Sequence, residues 1–485
     1  RNMAQDNTFQ IIIDNFEGLA PAYYSNSWSS YGNKGSANSL KDVDISDPSI
    51  LTQGAGLADI TGVTTLISSI MKNAVSNDAT FAVGENKVYK LTPSSVVLTG
   101  GFPAIIDKTG VTEEKADDIV YYNSYLYAFY NHSGSLGDIA KITPSNGTID
   151  PIWGSSNGGT LNYAPHYAIV GGNDMVGFTN GRFIGLIDGD TMDAGALDLP
   201  ENSQADTISW NGDYFIIGLN SPVVTGANYN QSAVYFWDGF APSWNIPPVS
   251  VNGKIGAIYT HNGVSYIWYK DNNGVGGSVF GYINGNAITP IKRFNGELPN
   301  QNQICNYFGF IAWLSSNEVF VWGAGDNETP VKFFKHATNA LSTDGALSTP
   351  FNELLMTSYE VIKTVPTYKL SKASGYSTNA KWDTIVFNLT TPNSIATIDN
   401  IIIVTEKFEA GGKLDTKIAY NQNKIERQLE QINNHEKIHH QILNNAIIAT
   451  DFKLELDWSN GSTTKPVKVR GIYISGHFTA KNGTF

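Results

Sequence analysis

The stretch Asn262-Gly263-Val264-Ser265-Tyr266-Ile267 joins a two-residue turn to a strand with an aromatic side chain. Units of the same kind recur every 40 to 50 residues between about residue 80 and residue 325. Gly and Asn suit such turns because they tolerate positive φ. A period of this length in an all-β pattern indicates one four-stranded sheet per repeat, and hence a β-propeller. The other units are Gly84–Tyr89, Asn123–Tyr127, Asn180–Ile184 and Asn211–Ile216.

A second series of apolar segments follows the same period, and we interpret its members as the outer strands of six blades. Their first residues are spaced by 51, 45, 50, 45 and 40 positions. A seventh blade is predicted within 353–390, from strands at Tyr359–Ile362 and Asp383–Phe387. A pair of β-sandwiches or a β-helix would show hairpins at similar spacing, so the blade number stays at six or seven and these folds stay open. The six segments begin at Val88, Ile139, Ile184, Val234, Val279 and Val319.

Composition excludes several classes of function. The chain has 485 residues, a net charge of −13 and only 15% charged residues. A chain of this length is expected to form two or more domains. Its acidic balance is a poor match for non-specific nucleic-acid binding, which needs Lys and Arg against phosphates. The single cysteine, Cys305, excludes an intramolecular disulfide, and we expect a buried thiol there rather than a nucleophile.

Three domains are predicted: an extended N-terminal arm over 1–60, a β-propeller over 61–390 and an antiparallel β-sandwich over 391–485. The arm is rich in Gly, Ser and Asn, with isolated aromatic residues suited to packing on another surface. In the last domain, clean alternation at 452–458 and 467–474 predicts strands with one buried face. The segment 423–443 fits either a helix or strands, and we favour strands because Asn433-Asn434 suits a turn.

Motifs for catalysis or metal binding are scarce. The chain has no Gly-x-Ser-x-Gly elbow, His-Glu-x-x-His helix or Walker loop. We therefore predict no catalytic residue, no cofactor and no metal site. Three clusters contain side chains that can bind metals, but we interpret them as surface side chains or turns, although calcium at Asp188 and Asp190 stays open. The clusters are His435, His439 and His440; Asp188, Asp190 and Asp193; and Asp42, Asp44 and Asp47.

Signals for sugar chemistry are also weak. Ser342-Thr343-Asp344-Gly345 is a fragment of a sialidase Asp box that does not repeat, and five arginines offer little for clamping carboxylate or phosphate. A glycosidase needs only two carboxylates at a suitable separation, which a sequence does not exclude. Four tryptophans were weighed as sugar-stacking groups and are expected in the blade cores instead: Trp210, Trp237, Trp244 and Trp268.

Two parts of the chain carry a resemblance to a known class. One is the arm, with Phe16-Glu17-Gly18-Leu19 and Gln53-Gly54-Ala55-Gly56-Leu57 leading into the first blade. The other is the C-terminal end, where Phe408-Glu409-Ala410-Gly411-Gly412 precedes a strand and Pro466–Tyr473 forms the closing strand. In this architecture the chain resembles virion proteins of tailed bacteriophages, in particular the propeller-bearing tail nozzle class.

The resemblance implies a non-enzymatic, oligomeric structural protein of the phage tail, acting as nozzle or tail channel. Its expected partners are further copies of itself in a ring such as a hexamer, and other tail and portal-proximal proteins. An acidic wall would suit passage of DNA without specific binding. We expect assembly in the bacterial host cytoplasm and location in the virion, with no membrane span. The alternatives are a tail adhesin that binds host-surface glycan and a secreted propeller glycoside hydrolase.

Overall fold

In the residues that it describes, the computed structural model is almost entirely β-structure, with one short helix, Trp153–Asn157, and two 3₁₀ turns, Gly172–Asp174 and Gln301–Gln303. We call the second of these the central turn. No helix in the described part of the chain is long and apolar enough to cross a membrane. The structure describes residues 8–16, 37–45, 47, 49–71, 79–93, 95–109, 114–132, 136–221, 232–272, 277–294, 296–315, 318–323, 331–335, 345–351, 353–362, 365–378, 380–389, 394–459 and 461–480.

The chain divides into two compact units, and both are built from separate stretches of sequence. One consists of residues 58–317 and 336–372, and the other of 1–57, 318–335 and 373–485. The predicted boundaries, after residues 60 and 390, differ from this division. The difference arises because strands before residue 57 belong to the same sheets as strands after residue 373.

The described residues before the first blade form five strands. They are β1 (Thr8–Ile13), β2 (Ala37–Lys41), β3 (Val43–Asp44), β4 (Thr52–Gln53) and β5 (Ala55–Ile60).

Seven sheets of four principal strands follow, which confirms the β-propeller. Blade 1 has β6 (Ser69–Ile70), β7 (Thr80–Gly84), β8 (Lys87–Leu91), β9 (Val96–Val97) and β10 (Ala104–Ile105). Blade 2 has β11 (Lys115–Tyr122), β12 (Tyr125–His132), β13 (Leu136–Ile142), β14 (Ile149–Asp150) and β15 (Leu161–Asn162). Blade 3 has β16 (Ala168–Val170), β17 (Met175–Asn180), β18 (Phe183–Asp188) and β19 (Thr191–Asp198).

The remaining blades are more regular. Blade 4 has β20 (Gln204–Trp210), β21 (Phe215–Asn220), β22 (Ser232–Trp237) and β23 (Ile246–Val251). Blade 5 has β24 (Gly253–His261), β25 (Val264–Asp271), β26 (Ser278–Asn284) and β27 (Ala287–Phe294). Blade 6 has β28 (Ile304–Tyr307), β29 (Phe310–Ser315), β30 (Glu318–Trp322) and β31 (Val331–Lys335). Blade 7 has β32 (Leu347–Ser348), β33 (Leu355–Ile362) and β34 (Val365–Tyr376), and its strand order is β32-β33-β34-β5.

The predicted period of the repeat is right, but the predicted units do not all begin at the same point of a blade. The six segments interpreted as outer strands lie in β8, β13, β18, β22, β26 and β30. Each is the third strand of its blade, flanked on both sides, so the outer position was wrong. The quoted turns likewise differ: Asn262-Gly263 joins a first strand to a second, whereas Gly181-Arg182 joins a second to a third. Both hairpins need positive φ, so turn composition does not distinguish them.

Half of the predicted seventh blade belongs elsewhere. Tyr359–Ile362 lies in β33, as predicted, but 383–387 falls in β35 and β36 of the C-terminal sandwich. The reason is visible in the packing, where Trp382 is fully buried and its ring stands edge-on to Phe16, with centroids 5.6 Å apart. The strands of this last part are β35 (Lys381–Thr384), β36 (Phe387–Asn388), β37 (Ser394–Thr405), β38 (Asp415–Tyr420), β39 (Ile425–Gln428), β40 (His439–Gln441), β41 (Ile447–Ala449), β42 (Asp451–Asp457) and β43 (Val469–Ala480).

The C-terminal sandwich takes a strand of each sheet from the N-terminal segment. One sheet has the order β1-β43-β37-β40 and the other β2-β35-β42-β38-β39, with β41 and β36 added to β37 and β42. Alternation in β42 buries Phe452, Leu454 and Leu456 between the sheets, as the pattern predicted. The predicted strands in 423–443 are confirmed at β39 and β40, and Asn434 caps the turn between them.

The propeller ring is closed by β5. Asp59 of this strand accepts a hydrogen bond from Ser371 Oγ at 3.0 Å and pairs with Lys369 Nζ at 3.1 Å. Ile60 is 4% exposed and lies in a core shared by blades 1 and 7, with Leu91 and Leu370. A strand from before the first blade therefore completes the last sheet and removes its free edge.

Replacing Ile60 by Ala is expected to lower the free energy of unfolding by about 2 to 5 kcal/mol, because a buried side chain is cut back at the ring closure. Thr61→Ala, at the exposed position just after the same strand, should cost less than about 1 kcal/mol. Urea unfolding of both variants measures the difference. Equal losses of unfolding free energy in the two variants would contradict the view that the core around Ile60 stabilises the closed ring.

Candidate functional site

The first strands of the blades surround the centre of the propeller. The first strands of blades 1 to 5 contact one another in order: β6 contacts β11, β11 contacts β16, β16 contacts β20, and β20 contacts β24. Likewise, β28 of blade 6 contacts β32 of blade 7, and β32 contacts β6. Buried polar groups join them. Asp118 of β11 accepts from Ser69 Oγ at 2.5 Å and from the Ala168 backbone N–H at 2.9 Å, linking three blades. These bonds fix how the first strands meet.

Three first strands carry a β-bulge near their beginning. The pairing register shifts between Ala116 and Asp118, between Ala205 and Thr207, and between Ile255 and Ala257. The extra residues are Asp117, Asp206 and Gly256. A bulge leaves its extra residue outside the ladder and can redirect its side chain.

The central turn fills the middle of the ring. Its residues Gln301, Asn302 and Gln303 are 3%, 7% and 5% exposed. Asn302 Nδ2 donates to the backbone oxygen of Asp117 at 2.9 Å, and Thr207 Oγ1 donates to Gln301 Oε1. The turn thus bonds to the first strands of blades 2 and 4, and a capping box at Asn300 holds it in shape.

A cavity of about 810 Å³ opens beside the central turn, and we call it the mouth pocket. Its lining comes from segments that precede or open the first strands of blades 3 to 6, together with the ends of β21 and β25. In antiparallel blades these positions share one edge. The lining residues are Pro165, Tyr167, Asn202, Ser203, Gln204, Asp206, Asn220, Lys254, Ile255, Gly256, Lys270, Gly296, Glu297, Leu298, Pro299 and Asn300.

Asp206 is the best buried acid of the mouth pocket. Its Oδ2 accepts from Asn220 Nδ2 at 2.7 Å and its Oδ1 from Gln204 Nε2 at 2.6 Å. Burial raises the pKa of the Asp206 carboxyl, although these hydrogen bonds and the charge of Lys254 act to lower it. Asn220 is itself fixed by Ser232 and by both backbone groups of Ile255. The carboxylate is therefore held in a set orientation.

Gly256 gives the mouth pocket one of its walls. A Cβ at this position would stand 2.3 Å from Leu298 Cγ and 2.5 Å from the backbone oxygen of Pro299. Only a glycine at the bulge lets the segment 296–300 cross blade 5 so closely. This segment leads directly into the central turn.

His166 lies in the chain between the lining residues Pro165 and Tyr167. It is fully buried, its Nδ1 bonds to the Thr179 backbone oxygen at 2.8 Å, and its backbone N–H donates to Asp117 Oδ2 at 3.2 Å. Burial lowers the pKa of His166 to about 4. The ring is therefore neutral and braces blade 2 against blade 3.

The predicted metal candidates serve local structure. Asp190 pairs with Lys141 Nζ at 2.8 Å, and that ammonium lies 4.1 Å from the centre of the Tyr125 ring. Asp193 accepts from the Gly195 N–H at 2.9 Å. Asp188 ends β18 at the same hairpin. In the described part of the chain, no group of three or more His, Cys, Asp or Glu is placed to hold a metal ion.

The other two clusters are dispersed as well. Asp42 accepts from Ser377 Oγ at 3.0 Å, whereas Asp47 accepts from its neighbour Ser49. His440 is buried against Thr405, but His439 is exposed, and His435 lies beside Glu436. Asp44 pairs through β3 with β4.

Cys305 and the four tryptophans belong to the blades. Cys305 is 1% exposed in β28, and Trp237 and Trp268 are buried, as expected. Trp210 and Trp244 are partly buried and pack on the core of blades 3 and 4. Ser342, Thr343 and Asp344 lie outside the described residues, as do the aromatic residues of the arm at 23, 24, 28 and 31.

The mouth pocket was not predicted from the sequence. One signal was available, because an Asp is followed fourteen positions later by an Asn both at Asp117 and Asn131 and at Asp206 and Asn220. In both blades the Asn side chain donates to the Asp at 2.6 to 2.7 Å. The repeated pair marks the bulged edge of the first strand.

Comparison with known proteins gives similarity to solved structures at low sequence identity. No protein-family model and no curated protein matches the chain. Among solved structures, the β-propeller domain of Cps50 (Swd1) from Myceliophteria thermophila is 10% identical, with a TM-score of 0.44, over 66% of this chain and 99% of that one. YCF48 from Cyanidioschyzon merolae is 9% identical, with a TM-score of 0.41, over 66% and 99%. An exo-beta-1,3-galactanase from Phanerochaete chrysosporium is 8% identical, with a TM-score of 0.31, over 87% and 100%.

Gly256→Ala is expected to lower the free energy of unfolding by about 1 to 3 kcal/mol, since the new methyl group overlaps a backbone oxygen. Gly195→Ala is the matched control, because a Cβ at Gly195 would meet Phe183 Cδ1 at an ordinary contact distance of 3.7 Å. Thermal unfolding measures both. A Gly256→Ala protein as stable as the control would show that segment 296–300 can move aside.

His166→Gln is expected to make the protein less sensitive to acid. Between the ordinary pKa of 6.5 and the native value of about 4, the unfolded chain binds a proton that the native chain does not. Stability is therefore lost as the pH falls through this window, by about 3 kcal/mol for this one group. Urea unfolding at about pH 7 and about pH 4 should show a smaller loss of unfolding free energy in His166→Gln than in the exposed control His439→Gln. Equal losses would contradict the assignment.

Proposed function

We propose that this chain is a non-enzymatic structural protein of a phage virion, which forms part of the tail, as nozzle or tail channel, through oligomeric assembly. The proposal keeps the function implied by the resemblance to tail nozzle proteins. What supports it most is the outer edge of β1 in the C-terminal sandwich. Its partners would be further copies of the chain and neighbouring tail proteins in the virion.

Strand β1 is an uncharged edge strand. Its sequence, Thr-Phe-Gln-Ile-Ile-Ile, contains no charge and no proline, and among the described residues it pairs with β43 alone. Monomeric proteins usually protect such edges with charge, proline or a covering segment, because a bare edge pairs with other chains. A six-residue edge with which no other described strand pairs supports assembly by strand pairing between copies.

Exposed isoleucines also concentrate in this unit. Ile448 is 64% exposed and lines a groove of about 410 Å³ together with Ile395 and Leu389. Apolar groups grouped on a surface are typical of protein contact sites. Ile12, Ile425 and Ile438 are further exposed isoleucines of the same unit.

The charge of the chain and the centre of the propeller suit a ring of copies. A net charge of −13 would repel phosphate and reduce sticking of DNA to a wall built from this protein. The central turn occupies the middle of the propeller, so a DNA path would have to lie between copies rather than within one.

The direct test is the mass and symmetry of the native protein, by native mass spectrometry and electron microscopy, together with its presence in purified virions. A closed ring that is found in virion tails is the expected result. A stable monomer that is not associated with virions would refute the proposal.

Ile12→Lys is expected to reduce assembly while leaving the monomer folded, because it places a charge on an edge strand at a residue that is 36% exposed. Asn15→Lys adds the same charge just beyond β1 and is the control. Sedimentation velocity reports the fraction assembled, and circular dichroism reports the fold. If Ile12→Lys assembles like Asn15→Lys, strand pairing through β1 is wrong.

A further inference from the structure

The Asp117–Asn131 pair of blade 2 and the Asp206–Asn220 pair of blade 4 differ in their further hydrogen-bond partners. In blade 2, Asp117 Oδ2 is occupied by Asn131 and the His166 N–H, and the Asp117 backbone oxygen by Asn302. In blade 4, the equivalent Asp206 accepts one hydrogen bond on each oxygen and lines the mouth pocket. Each carboxylate oxygen can accept two hydrogen bonds. Asp206 therefore has acceptor capacity, directed to an open cavity, that the fold does not use.

The charges that line the mouth pocket balance. Asp206 and Glu297 are opposed by Lys254 and Lys270, and no arginine is among the lining residues. Arg182 and Arg293 pair with Asp198 and Asp271 instead. A site for phosphate or a polyanion would show a surplus of cations or an arginine fork. The balance favours a ligand without net charge.

The remaining lining suits hydroxyl groups beside a hydrocarbon face. The amides of Asn202, Gln204 and Asn300 belong to a residue type that both donates and accepts, as a hydroxyl does. Tyr167 and Leu298, with two prolines, supply apolar surface at the same pocket. Polar groups that fix orientation and apolar walls that bury area are the usual elements of a small-molecule site, and 810 Å³ lies within the usual range of volumes.

We propose that the mouth pocket binds a neutral saccharide, with the Asp206 carboxylate accepting hydrogen bonds from sugar hydroxyls and Tyr167 packing against the ring. Asn220 and Gln204 position the carboxylate. The proposal concerns binding by the propeller unit and stands independently of the assignment to a phage tail.

The test is saturation-transfer NMR and calorimetry on the full-length chain with the neutral disaccharides maltose, cellobiose and lactose. A second arm uses dextran as a neutral polysaccharide, to distinguish recognition of a chain interior from recognition of a free sugar end. Inorganic phosphate is the charged probe. We expect at least one saccharide to bind and phosphate neither to bind nor to compete.

Asp206→Ala should weaken saccharide binding about tenfold or more, because a hydrogen bond to a charged group is lost. Tyr167→Leu keeps apolar bulk but removes the aromatic ring, and it should also weaken binding, which keeps the test decisive if Asp206→Ala folds poorly. Asp213→Ala, in the exposed turn between β20 and β21, is the control and should bind like the wild type.

Three results would overturn the proposal. The first is no binding of any of these saccharides, the second is binding that both pocket variants leave unchanged, and the third is displacement of the saccharide by phosphate. Oligomeric state, measured on the same Asp206→Ala sample, should not change, so a failure of this proposal is separable from a failure of the assembly proposal.

Discussion

The propeller depends on one strand that comes early in the sequence and pairs late. Residues 55–60 form the last strand of blade 7, and Asp59 meets Ser371 across 312 positions of sequence. Blades 1 and 7 become neighbours only when this pairing forms, which buries Ile60 and Leu370 in a common core. Across the same joint, Ser348 Oγ of blade 7 donates to the Met71 backbone oxygen beside blade 1 at 3.0 Å. Non-local pairing of this kind carries a loop-closure cost that the shared core has to offset.

Hydrogen bonds between buried polar groups then determine how the first strands and the central turn are arranged. An unpaired carboxylate or amide in such a place would be costly, so each first strand needs partners from its neighbours. Asp118 obtains them from Ser69 and the Ala168 backbone, and the central turn obtains them from Asp117 and Thr207. The mouth pocket lies beside the central turn. There, the glycine at the bulge of blade 5 lets a loop cross over, and Asp206 keeps acceptor capacity that faces the cavity.

Much of the fold could be predicted from the sequence, because turn residues and apolar strands repeat with the period of a blade. The register within a blade could not, since Asn123-Ser124 and Glu85-Asn86 are equally good turns but join different strand pairs. The assignment of 383–387 to the propeller failed because Trp382 packs with Phe16, far away in sequence, and local pattern does not show this. The mouth pocket was missed for a similar reason. A bulge has no composition of its own, and Asp206 looks like any polar residue of a strand until its Asn partner fourteen positions later is compared with the pair in blade 2.

The two proposals rest on different chemistry, and this follows from how the units are built. The exposed edge of β1 belongs to a unit whose sheets combine residues before 57 with residues after 373, and what it offers is main-chain hydrogen bonding and isoleucine surface. The mouth pocket is formed wholly within 58–317, and what it offers is oriented side-chain acceptors and balanced charge. Main-chain pairing is tolerant of sequence and suits repeated contacts between identical copies. Oriented carboxylates and amides discriminate between ligands, because a partner that lacks the matching hydroxyl leaves them unsatisfied. A chain that carries both can assemble through one unit and recognise a ligand through the other, and a substitution at either site leaves the chemistry of the other intact.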